Sequence, residues 1–406
     1  MMCTKRPCGG FRFDMARSRA LFLVPEVPYP TYGGGAMRSA SVLEYLAQRY
    51  EVDIIVFREH GAQDPAPLFP PAMHGDILVL DLPHHRKDSI SRAARNAARM
   101  VLGVPPLVDR FSGFALPIST FLRGRRYEVA VIEHFWCASY VEQIAPVSKK
   151  TVLDLHNVES VLHQRCAASE KGPQAMAHRV FFHAARHLEA EWLPRYNQVL
   201  TASREDEEIA RAVAPGAGFS IYPNAIPFIP RPVSAERDVV AFSGNLEYHP
   251  NIAAVRYFHG EIWPSLREKW PSLVWRLIGK NPDAIRRELN GDDPRIEISG
   301  PVANAVEELA AAKVVVAPLL AGSGTRIKLL EAWAAGRAVV STTVGAEGLP
   351  ARHGENLLIA DDEWTFANCV SCLLEDASLR ERLGATGRAL YESEFTWEKV
   401  WQKLDL

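Results

Sequence analysis

The sequence lacks both a hydrophobic run long enough to cross a membrane and a marked excess of either charge. It has 406 residues, of which 46 are basic and 48 acidic, and its formal net charge is −2. Proteins that bind nucleic acid usually carry a basic stripe; none stands out, so nucleic acid is not an expected partner. The apolar run at residues 20–24 ends at Pro25, which is too early for a signal sequence or a transmembrane helix. These features predict a cytoplasmic protein, with peripheral contact at the inner face of the membrane as an open alternative.

Cysteine is also scarce, and its spacing matches neither a disulfide framework nor a metal site. The chain has six cysteines, whereas small secreted domains are dense in them. Cys369 and Cys372 form a CxxC pair, but no second pair or nearby histidine completes a zinc site. The acidic pairs at residues 292–293 and 361–362 stand outside any metal-binding motif and are expected in solvated loops. We therefore predict reduced cysteines, no bound metal and no cofactor.

Short apolar runs alternate with longer segments of helical periodicity along the chain. This alternation is typical of parallel sheets covered by helices, and the length favours two domains. The clearest break is residues 222–237, which contain four prolines and no periodicity. We predict an α/β protein with two doubly wound, Rossmann-like domains at residues 19–225 and 236–385. Residues 376–406 have a helical pattern, and their last part, 386–406, is expected to return towards the first domain.

Local patterns also predict individual elements. The predicted strands cover residues 21–24, 52–57, 129–132, 151–155, 199–203, 239–242, 274–278, 296–299, 314–317 and 338–341. The predicted helices cover residues 37–49, 179–196, 251–263, 302–311 and 327–335. Ser203 and the acidic residues after it are typical of a helix N-terminus.

Ligands of open parallel sheets bind at the carboxyl ends of the strands, and the first such loop is glycine-rich. Residues 32–38 read Tyr-Gly-Gly-Gly-Ala-Met-Arg and open into a helix. Gly34 and Gly35 let the backbone approach a ligand, and the helix offers free N–H groups. Substrate binding and a merely tight turn both remain open for this loop. It is not a Walker loop, because no Gly-Lys-Ser/Thr follows.

A second loop places ionisable residues after a strand. Residues 153–160 read Leu-Asp-Leu-His-Asn-Val-Glu-Ser, and His156 is placed to contact a substrate hydroxyl. The alternative is that His156 and Asn157 cap the following helix. Glu133 and His134 end an earlier strand at the same edge, so a polar cluster is predicted there.

The third loop carries the strongest signal. A buried strand at residues 314–317 leads into a Gly-Ser-Gly turn and then a helix whose first turn contains two cations. Free amides, the helix dipole and the cations suit a diphosphate. Glu331 lies on the same side of the helix and is placed to accept hydrogen bonds from ribose or sugar hydroxyls. The residues expected to bind substrate here are Gly322, Ser323, Gly324, Thr325, Arg326, Lys328 and Glu331.

The segment that begins at Gly322 and contains the run LLEAWAAGRAVVSTTVGAEGL resembles the nucleotide-sugar site of glycosyltransferase family 4. The runs FSGNL at 242–246, HPN at 249–251, LIG at 277–279, YPN at 222–224 and FTW at 395–397 add to the resemblance. It implies a GT-B fold, in which two Rossmann-like domains face each other across a cleft. It also implies retaining transfer of a sugar from a nucleoside diphosphate sugar to a glycan or lipid-linked acceptor, in polysaccharide or glycoconjugate synthesis.

The resemblance also implies roles for single residues. Glu331 matches the second glutamate of the family's E-x7-E motif, which holds the ribose. The position of the first glutamate is Ser323, and this departure leaves the contacts to the donor sugar in doubt. His156 matches a histidine near the transferred sugar.

A second departure concerns the diphosphate. The family often has an arginine and a lysine after the first strand of the C-terminal domain, where this chain offers Gly244, Asn245 and Asn251 as binding residues. We therefore expect Arg326 and Lys328 to act on the diphosphate as catalytic cations.

Two other functions stay open. Ser323 motivates a noncatalytic nucleotide-sugar-binding protein, and a GT-B sugar-nucleotide epimerase is the other alternative. Residues 84–125 are rich in basic and aromatic side chains and form either a membrane-surface or anionic-acceptor face or a solvated helix.

Overall fold

The computed structural model describes residues 17–31, 33–84, 89–169, 172–286, 288–289, 293–321 and 326–406. These residues form two parallel sheets covered by helices, which confirms the α/β class and the two doubly wound units. The strands of the first sheet are β1 Arg19–Val24, β2 Glu51–Arg58, β3 Ile77–Asp81, β4 Tyr127–Glu133, β5 Ser148–Asp154, β6 Gln198–Thr201 and β7 Phe219–Ile221. Those of the second are β8 Arg237–Ser243, β9 Val274–Ile278, β10 Ile296–Ser299, β11 Ala312–Ala317, β12 Ala338–Ser341 and β13 Leu358–Ile359.

The six strands of the second sheet follow the same order as the first six of the seven-stranded first sheet. It is β3-β2-β1-β4-β5-β6-β7 in the first sheet and β10-β9-β8-β11-β12-β13 in the second. In such sheets, ligands bind outside the carboxyl ends of the strands where the order reverses. The reversals lie between β1 and β4 and between β8 and β11, so the loops after these four strands are the places to look for a site.

Helices connect the strands in both domains. In the first domain they are α1 Gly34–Ala47, α2 Ser89–Leu102, α3 Pro106–Arg110, α4 Ala115–Leu122, α5 Val141–Ile144, α6 Glu159–Ser169, α7 Gly172–Trp192 and α8 Arg204–Val213. The remainder are α9 His249–Tyr257, α10 Trp263–Lys269, α11 Asp283–Arg286, α12 Ala305–Leu309, α13 Ile327–Ala334, α14 Thr343–Ala346, α15 Glu363–Glu375, α16 Ala377–Glu394 and α17 Trp397–Trp401. No helix within the described ranges has the length and apolar character needed to cross a membrane.

Each sheet is buried on both faces, which explains why its strands read as continuous apolar runs. In β1, Leu21 and Leu23 join one hydrophobic cluster, whereas Ala20, Phe22 and Val24 join the cluster on the other face. Side chains alternate between faces along a strand, so one apolar strand contributes to two cores. The central strands are thereby fixed, and the loops at their ends are held in place.

The C-terminal segment crosses from one domain to the other. The helical pattern predicted over residues 376–406 is confirmed for most of the segment, but it forms two helices, α16 and α17, because the chain turns extended at Thr396, which bridges to Ile226. Helix α17 then packs with α1 in one cluster through Trp397. Trp401 Nε1 donates to the carbonyl of Ser41 at 3.1 Å. The end of the chain therefore lies against the first domain.

Most local predictions are confirmed, and the errors have local causes. All ten predicted strands are present, and Ser203 caps α8 by accepting from the backbone N–H of Asp206. The predicted helix at 251–263 contains a π-helical turn, Phe258–Ile262. The helix predicted at 302–311 begins only at Ala305, because Asn304 caps it. Strands β3, β7 and β13 were not predicted.

The acidic pairs were only partly as expected. Asp293 accepts from Trp263 Nε1 at 3.1 Å and pairs with Arg267, and Asp362 caps α15. Asp361 and Asp362 are exposed, as expected of a solvated loop, whereas Asp293 is half-buried. Asp292 lies outside the described residues.

Candidate active site

The carboxyl ends of the two sheets share a cavity of about 310 Å³, a size typical of small-molecule sites. The first domain contributes the loop before α1, and the segment between the domains contributes Ile226 and Ile229. The second domain contributes the loops after β8, β9 and β10 together with Glu331 of α13. The cavity therefore lies between the domains, at the strand ends where the topology places a ligand.

Glu331 forms part of the cavity wall on the second domain. Its Oε2 accepts a hydrogen bond from Ser243 Oγ at 2.9 Å. Burial raises the pKa of Glu331, and the Ser243 bond and the charge of Lys328 oppose this shift. The carboxylate is fixed by a neighbour and still faces a cavity, so it can accept hydrogen bonds from a ligand's hydroxyls.

Lys328 lies one turn closer to the start of α13. Its Nζ donates to Asn251 Oδ1 at 2.6 Å and lies 4.7 Å from the centre of the Phe242 ring. Burial, and then the charge of Arg326, lower the pKa of Lys328 to about 7, although Glu331 opposes this. The neighbours of Lys328 neutralise its charge only in part. An anion that replaced Asn251 as the partner of Lys328 would therefore be attracted to this charge.

Gly244 brings a backbone turn close to this lysine. Its φ is 150°, and an added Cβ would lie 2.8 Å from Asn251 Nδ2 and 3.6 Å from Lys328 Nζ. Only glycine fits this position without a clash. Asn245 follows it, and its carbonyl accepts from Asn251 Nδ2 at 2.7 Å. The predicted substrate residues Gly244 and Asn245 thus both line the cavity beside the lysine.

Arg326 lies at the N-terminus of α13 and is buried, with 8% of its surface exposed. Its Nη2 contacts the carbonyl of Val344 at 3.2 Å and Glu347 Oε2 at 3.5 Å. Burial lowers the pKa of Arg326, whereas Glu347 raises it. Arg326, Lys328 and Glu331 follow one another along a single helix. The predicted residues Gly322, Ser323, Gly324 and Thr325 lie outside the described residues.

The first domain brings a second helix N-terminus to the same cleft. Helix α1 begins at Gly34, and a Cβ added there would lie 3.3 Å from Ile327 Cγ1 at the start of α13. A Cβ on Gly35 would lie 3.7 Å from His156 Nδ1 and 4.0 Å from His134 Nε2. The N-termini of α1 and α13 therefore approach each other, and both helix dipoles favour an anion there.

His156 is held by a carboxylate of the neighbouring strand. Its Nε2 lies 2.7 Å from Glu133 Oε2, and its ring stacks on that of His134 with centroids 3.5 Å apart. Nε2 therefore faces Glu133, whereas Nδ1 lies on the side of Gly35. His156 thus contacts Glu133, His134 and Asp154 at the ends of β4 and β5, and the following helix α6 begins only at Glu159.

Behind His156 lies a buried charge network. Arg38 binds Asp154 through Nε at 2.7 Å and Nη2 at 2.5 Å, and it donates to the carbonyl of Tyr222 at 2.6 Å. Ser39 Oγ donates to Glu133 Oε2 at 2.7 Å. Burial and the negative charge of Asp154 raise the pKa of Glu133. Two carboxylates, a histidine and an arginine therefore balance one another at the rim of the cleft.

Glu133, Asp154 and His156 also offer three metal-ligand atoms within 4.8 Å of one another. The Arg38 guanidinium already occupies both oxygens of Asp154. A divalent cation would have to replace this cation or lie beside it. We interpret the group as a hydrogen-bonded charge network.

Sequence reasoning missed several residues of the cleft. Arg165 of α6 binds Glu347 with two hydrogen bonds of 2.9 and 3.1 Å; neither residue was given a role, although Glu347 lies in the segment that resembles the nucleotide-sugar site. Arg38 stood in the glycine-rich loop without an assigned partner. Asn304 and its neighbours after β10 line the cavity. These contacts join residues far apart in the chain, so local pattern could not reveal them.

Comparisons with known proteins agree with this arrangement. Residues 237–376 match the family described as Glycosyl transferases group 1. The chain is also similar to a relative from Klebsiella pneumoniae, described as an uncharacterized 44.6 kDa protein in the cps region. The two are 21% identical over 404 residues, which cover 95% of this chain and 99% of the relative.

Solved structures resemble the whole chain. Sucrose-phosphate synthase from Thermosynechococcus elongatus superposes with a TM-score of 0.73 and 17% identity, covering 95% of this chain and 97% of that one. Anabaena HepE in complex with UDP-glucose gives a TM-score of 0.65 and 14% identity, with coverage of 95% and 97%. S. aureus TarM in complex with fondaparinux, alpha-GlcNAc-glycerol and UDP gives 0.66 and 11%, with coverage of 95% and 98%.

The chain has the GT-B fold of these solved structures. Residues 237–376 match the Glycosyl transferases group 1 family, which supports a glycosyltransferase. The predicted class of enzyme is confirmed, and the narrower assignment to family 4 stays a prediction.

Proposed function

We propose that this protein is a retaining glycosyltransferase that moves a sugar from a nucleoside diphosphate sugar to a glycan or lipid-linked acceptor. The observation that carries the proposal is the row of Glu331, Lys328 and Arg326 along the first turns of α13, beside the shared cavity. A nucleoside, a diphosphate and a sugar follow one another in the same order in the donor. The order of the side chains in the row thus corresponds to the order of the groups in the donor.

In this arrangement the nucleoside occupies the cavity, and Glu331 binds the ribose hydroxyls. Lys328, Arg326 and the amides of Gly34, Gly35, Gly244 and Asn245 surround the diphosphate. The two facing helix N-termini add positive potential at this point. Gly322, Ser323, Gly324 and Thr325 belong to the proposed site by their place in the sequence alone.

The reaction breaks the bond between the sugar's anomeric carbon and the diphosphate oxygen and forms a bond to an acceptor hydroxyl oxygen. Negative charge grows on the departing diphosphate, and cations aimed at it lower the barrier most in the transition state. For retention, we propose attack on the face that the diphosphate leaves, with the acceptor's proton passing to a diphosphate oxygen. His156 Nδ1 accepts a hydrogen bond from a hydroxyl of the transferred sugar.

The acceptor proposal rests on relatives and on one surface. TarM was solved with fondaparinux and alpha-GlcNAc-glycerol as well as UDP, and the Klebsiella relative is described as a protein in the cps region. On the first domain, Val101 and Leu102 at the end of α2 are 88% and 73% exposed, and Leu116 of α4 is 78% exposed. Arg123 and Arg126 are exposed after α4. Apolar and basic residues together suit the surface of an anionic membrane, where a lipid-linked acceptor would reside.

A thermal-shift screen against UDP, GDP, ADP, CMP and their sugars, without added metal, tests the donor site. We expect one nucleoside diphosphate to raise the melting temperature, and Glu331→Gln and Arg326→Ala to abolish the rise. Arg352→Ala is the matched control, because that side chain is 73% exposed and pairs only locally with Glu355. No shift with any nucleotide would count against the site.

Turnover separates transfer from the alternatives. With the identified donor and a glycan or lipid-linked acceptor, we expect a glycosylated product whose anomeric configuration matches that of the donor. Arg326→Ala should lower turnover by roughly ten- to a thousandfold. Binding without hydrolysis or transfer would favour the noncatalytic alternative, and isomerisation of the donor without an acceptor product would favour the epimerase.

A further inference from the structure

A carboxylate lies beside Arg326, at the end of the row of Glu331, Lys328 and Arg326 that is farther from the cavity. Glu347 follows α14, and its Oε2 lies 3.5 Å from Arg326 Nη2. Its Oε1 accepts from Arg165 Nη2 of the first domain at 2.9 Å. About a third of the Glu347 side chain is exposed. Glu347 thus connects Arg326, the candidate diphosphate cation, with the opposite wall of the cleft, and its own side chain stays accessible to a ligand.

The direction of the row places Glu347 beyond the diphosphate. Glu331 lies in the cavity wall, and Lys328 interacts electrostatically with both Glu331 and Arg326. Arg326 interacts in turn with Glu347 and Arg165. From Glu331 to Ile327, the first residue of α13, the helix rises by about 6 Å, and Arg326 precedes it; this span is comparable to the length of a diphosphate. A group attached to the distal phosphate would therefore meet Glu347 and Arg165.

The chemistry of Glu347 suits an uncharged sugar. A carboxylate accepts up to four hydrogen bonds, and bonds to a charged acceptor are stronger than neutral ones. The two arginines use part of this capacity, and the exposed fraction leaves room for hydroxyl donors. A partly exposed ion pair between two domains contributes little to stability, so stability alone does not account for the arrangement.

We propose that Glu347 binds hydroxyl groups of the donor sugar and selects the donor through them, with Arg165 orienting its carboxylate. This inference rests on the proposed function, since it names the group that recognises the sugar of the same donor. It makes Glu347 a specificity-determining residue at the domain boundary.

The test compares the affinities of a nucleoside diphosphate and its sugar by calorimetry. The probes are UDP and UDP-glucose, or GDP and GDP-mannose if the thermal-shift screen selects GDP. We expect Glu347→Gln to leave the affinity for the diphosphate within about twofold, and to weaken the sugar nucleotide by roughly 10- to 100-fold, as for loss of a charge-assisted hydrogen bond. Donors that lack the sugar hydroxyl bound by Glu347 should bind the unaltered protein more weakly than the complete donor does. The Glu347→Gln variant should bind the complete and the deoxygenated donor with equal affinity.

Three controls keep the outcome interpretable. Glu355→Gln removes an exposed carboxylate of the same domain that pairs with its neighbour Arg352, and it should change neither affinity. Arg165→Ala removes the group that orients the carboxylate but keeps the carboxylate itself, so discrimination between deoxygenated donors should weaken and still exceed that of Glu347→Gln. Glu347→Asp keeps the negative charge and should bind the sugar nucleotide more tightly than Glu347→Gln does. Similar melting temperatures of the ligand-free variants would show that both are equally folded.

The contrary outcomes are distinct. If Glu347→Gln weakens the diphosphate and the sugar nucleotide equally, Glu347 acts only through Arg326 and the inference is overturned. If neither affinity changes, it is overturned as well. If the unaltered protein binds neither nucleotide, the proposed function fails and this inference fails with it.

Discussion

Gly34 and Ile327 lie in different domains, yet a Cβ added to Gly34 would come within 3.3 Å of Ile327 Cγ1. Each residue begins a helix, α1 in the first domain and α13 in the second. The absence of a side chain at Gly34 therefore lets two helix N-termini approach each other across the cleft. The first N–H groups of a helix have no acceptor within the helix, so two N-termini that meet here suit the diphosphate that we propose at this point.

A larger residue at Gly34 should separate these helices. We expect Gly34→Val to weaken the binding of a nucleoside diphosphate by about two- to thirtyfold, the range expected when one helix dipole is lost from an anion site. Calorimetric titration measures this. Gly216→Val is the control, because a Cβ at Gly216 meets nothing within 4 Å. Equal affinity for both variants would show that the close approach is not needed for binding.

Lys328 should make diphosphate binding depend on pH near neutrality. Burial, with a contribution from the charge of Arg326, lowers its pKa to about 7, so the free protein loses this charge as the pH rises through that value. A bound diphosphate favours the protonated form. Affinity should therefore fall between about pH 7 and pH 9, and binding should take up a proton. Titrations in buffers with different ionisation enthalpies measure this uptake.

Lys328→Arg is the matched variant, since arginine stays protonated over this range. Proton uptake should be lost in it, and persistence of the uptake would assign the titration to another group.

The unaltered Lys328 should also make the free energy of unfolding depend on pH. The unfolded chain holds a proton on this lysine up to about pH 10, whereas the folded one releases it near pH 7, so the free energy of unfolding should increase with pH across this window.

The backbone conformation of His134 should lower the stability of the protein, whereas its ring should be needed for activity. Its φ is 64°, a left-handed conformation that only glycine adopts without cost. Its ring nevertheless lies between His156 and Trp136, with centroids 3.5 and 4.2 Å away. Strain of this kind persists where the surroundings hold it and is frequent at functional sites.

We expect His134→Gly to be more stable than His134→Ala by about 1–2 kcal/mol, measured by urea unfolding. Both variants should lose turnover, because each removes the ring that supports His156. If the two variants are equally stable, the backbone at His134 is not strained. If turnover survives in either, the ring does not matter for the reaction.

Much of the fold was predictable because its signals are local. Strand β9 was predicted with its observed bounds, since a buried parallel strand reads as an apolar run. The cations Arg326 and Lys328 were found because they lie beside a strand end and a helix start in sequence. Strand β7 was missed because three residues give too little pattern. The break at Thr396 depends on a bridge to Ile226, 170 positions earlier, which periodicity does not record.

The sequence by itself determined the two α/β units, the loop that carries the candidate diphosphate cations, and the glutamate one turn beyond them, because strand burial and helix periodicity act over a few residues. Only the tertiary structure decided which residues complete the cleft. The bond between Arg38 and Asp154 spans 116 positions, and that between Arg165 and Glu347 spans 182. The order of the strands and the apposition of the two domains bring these partners together, and both are set by packing over the whole chain.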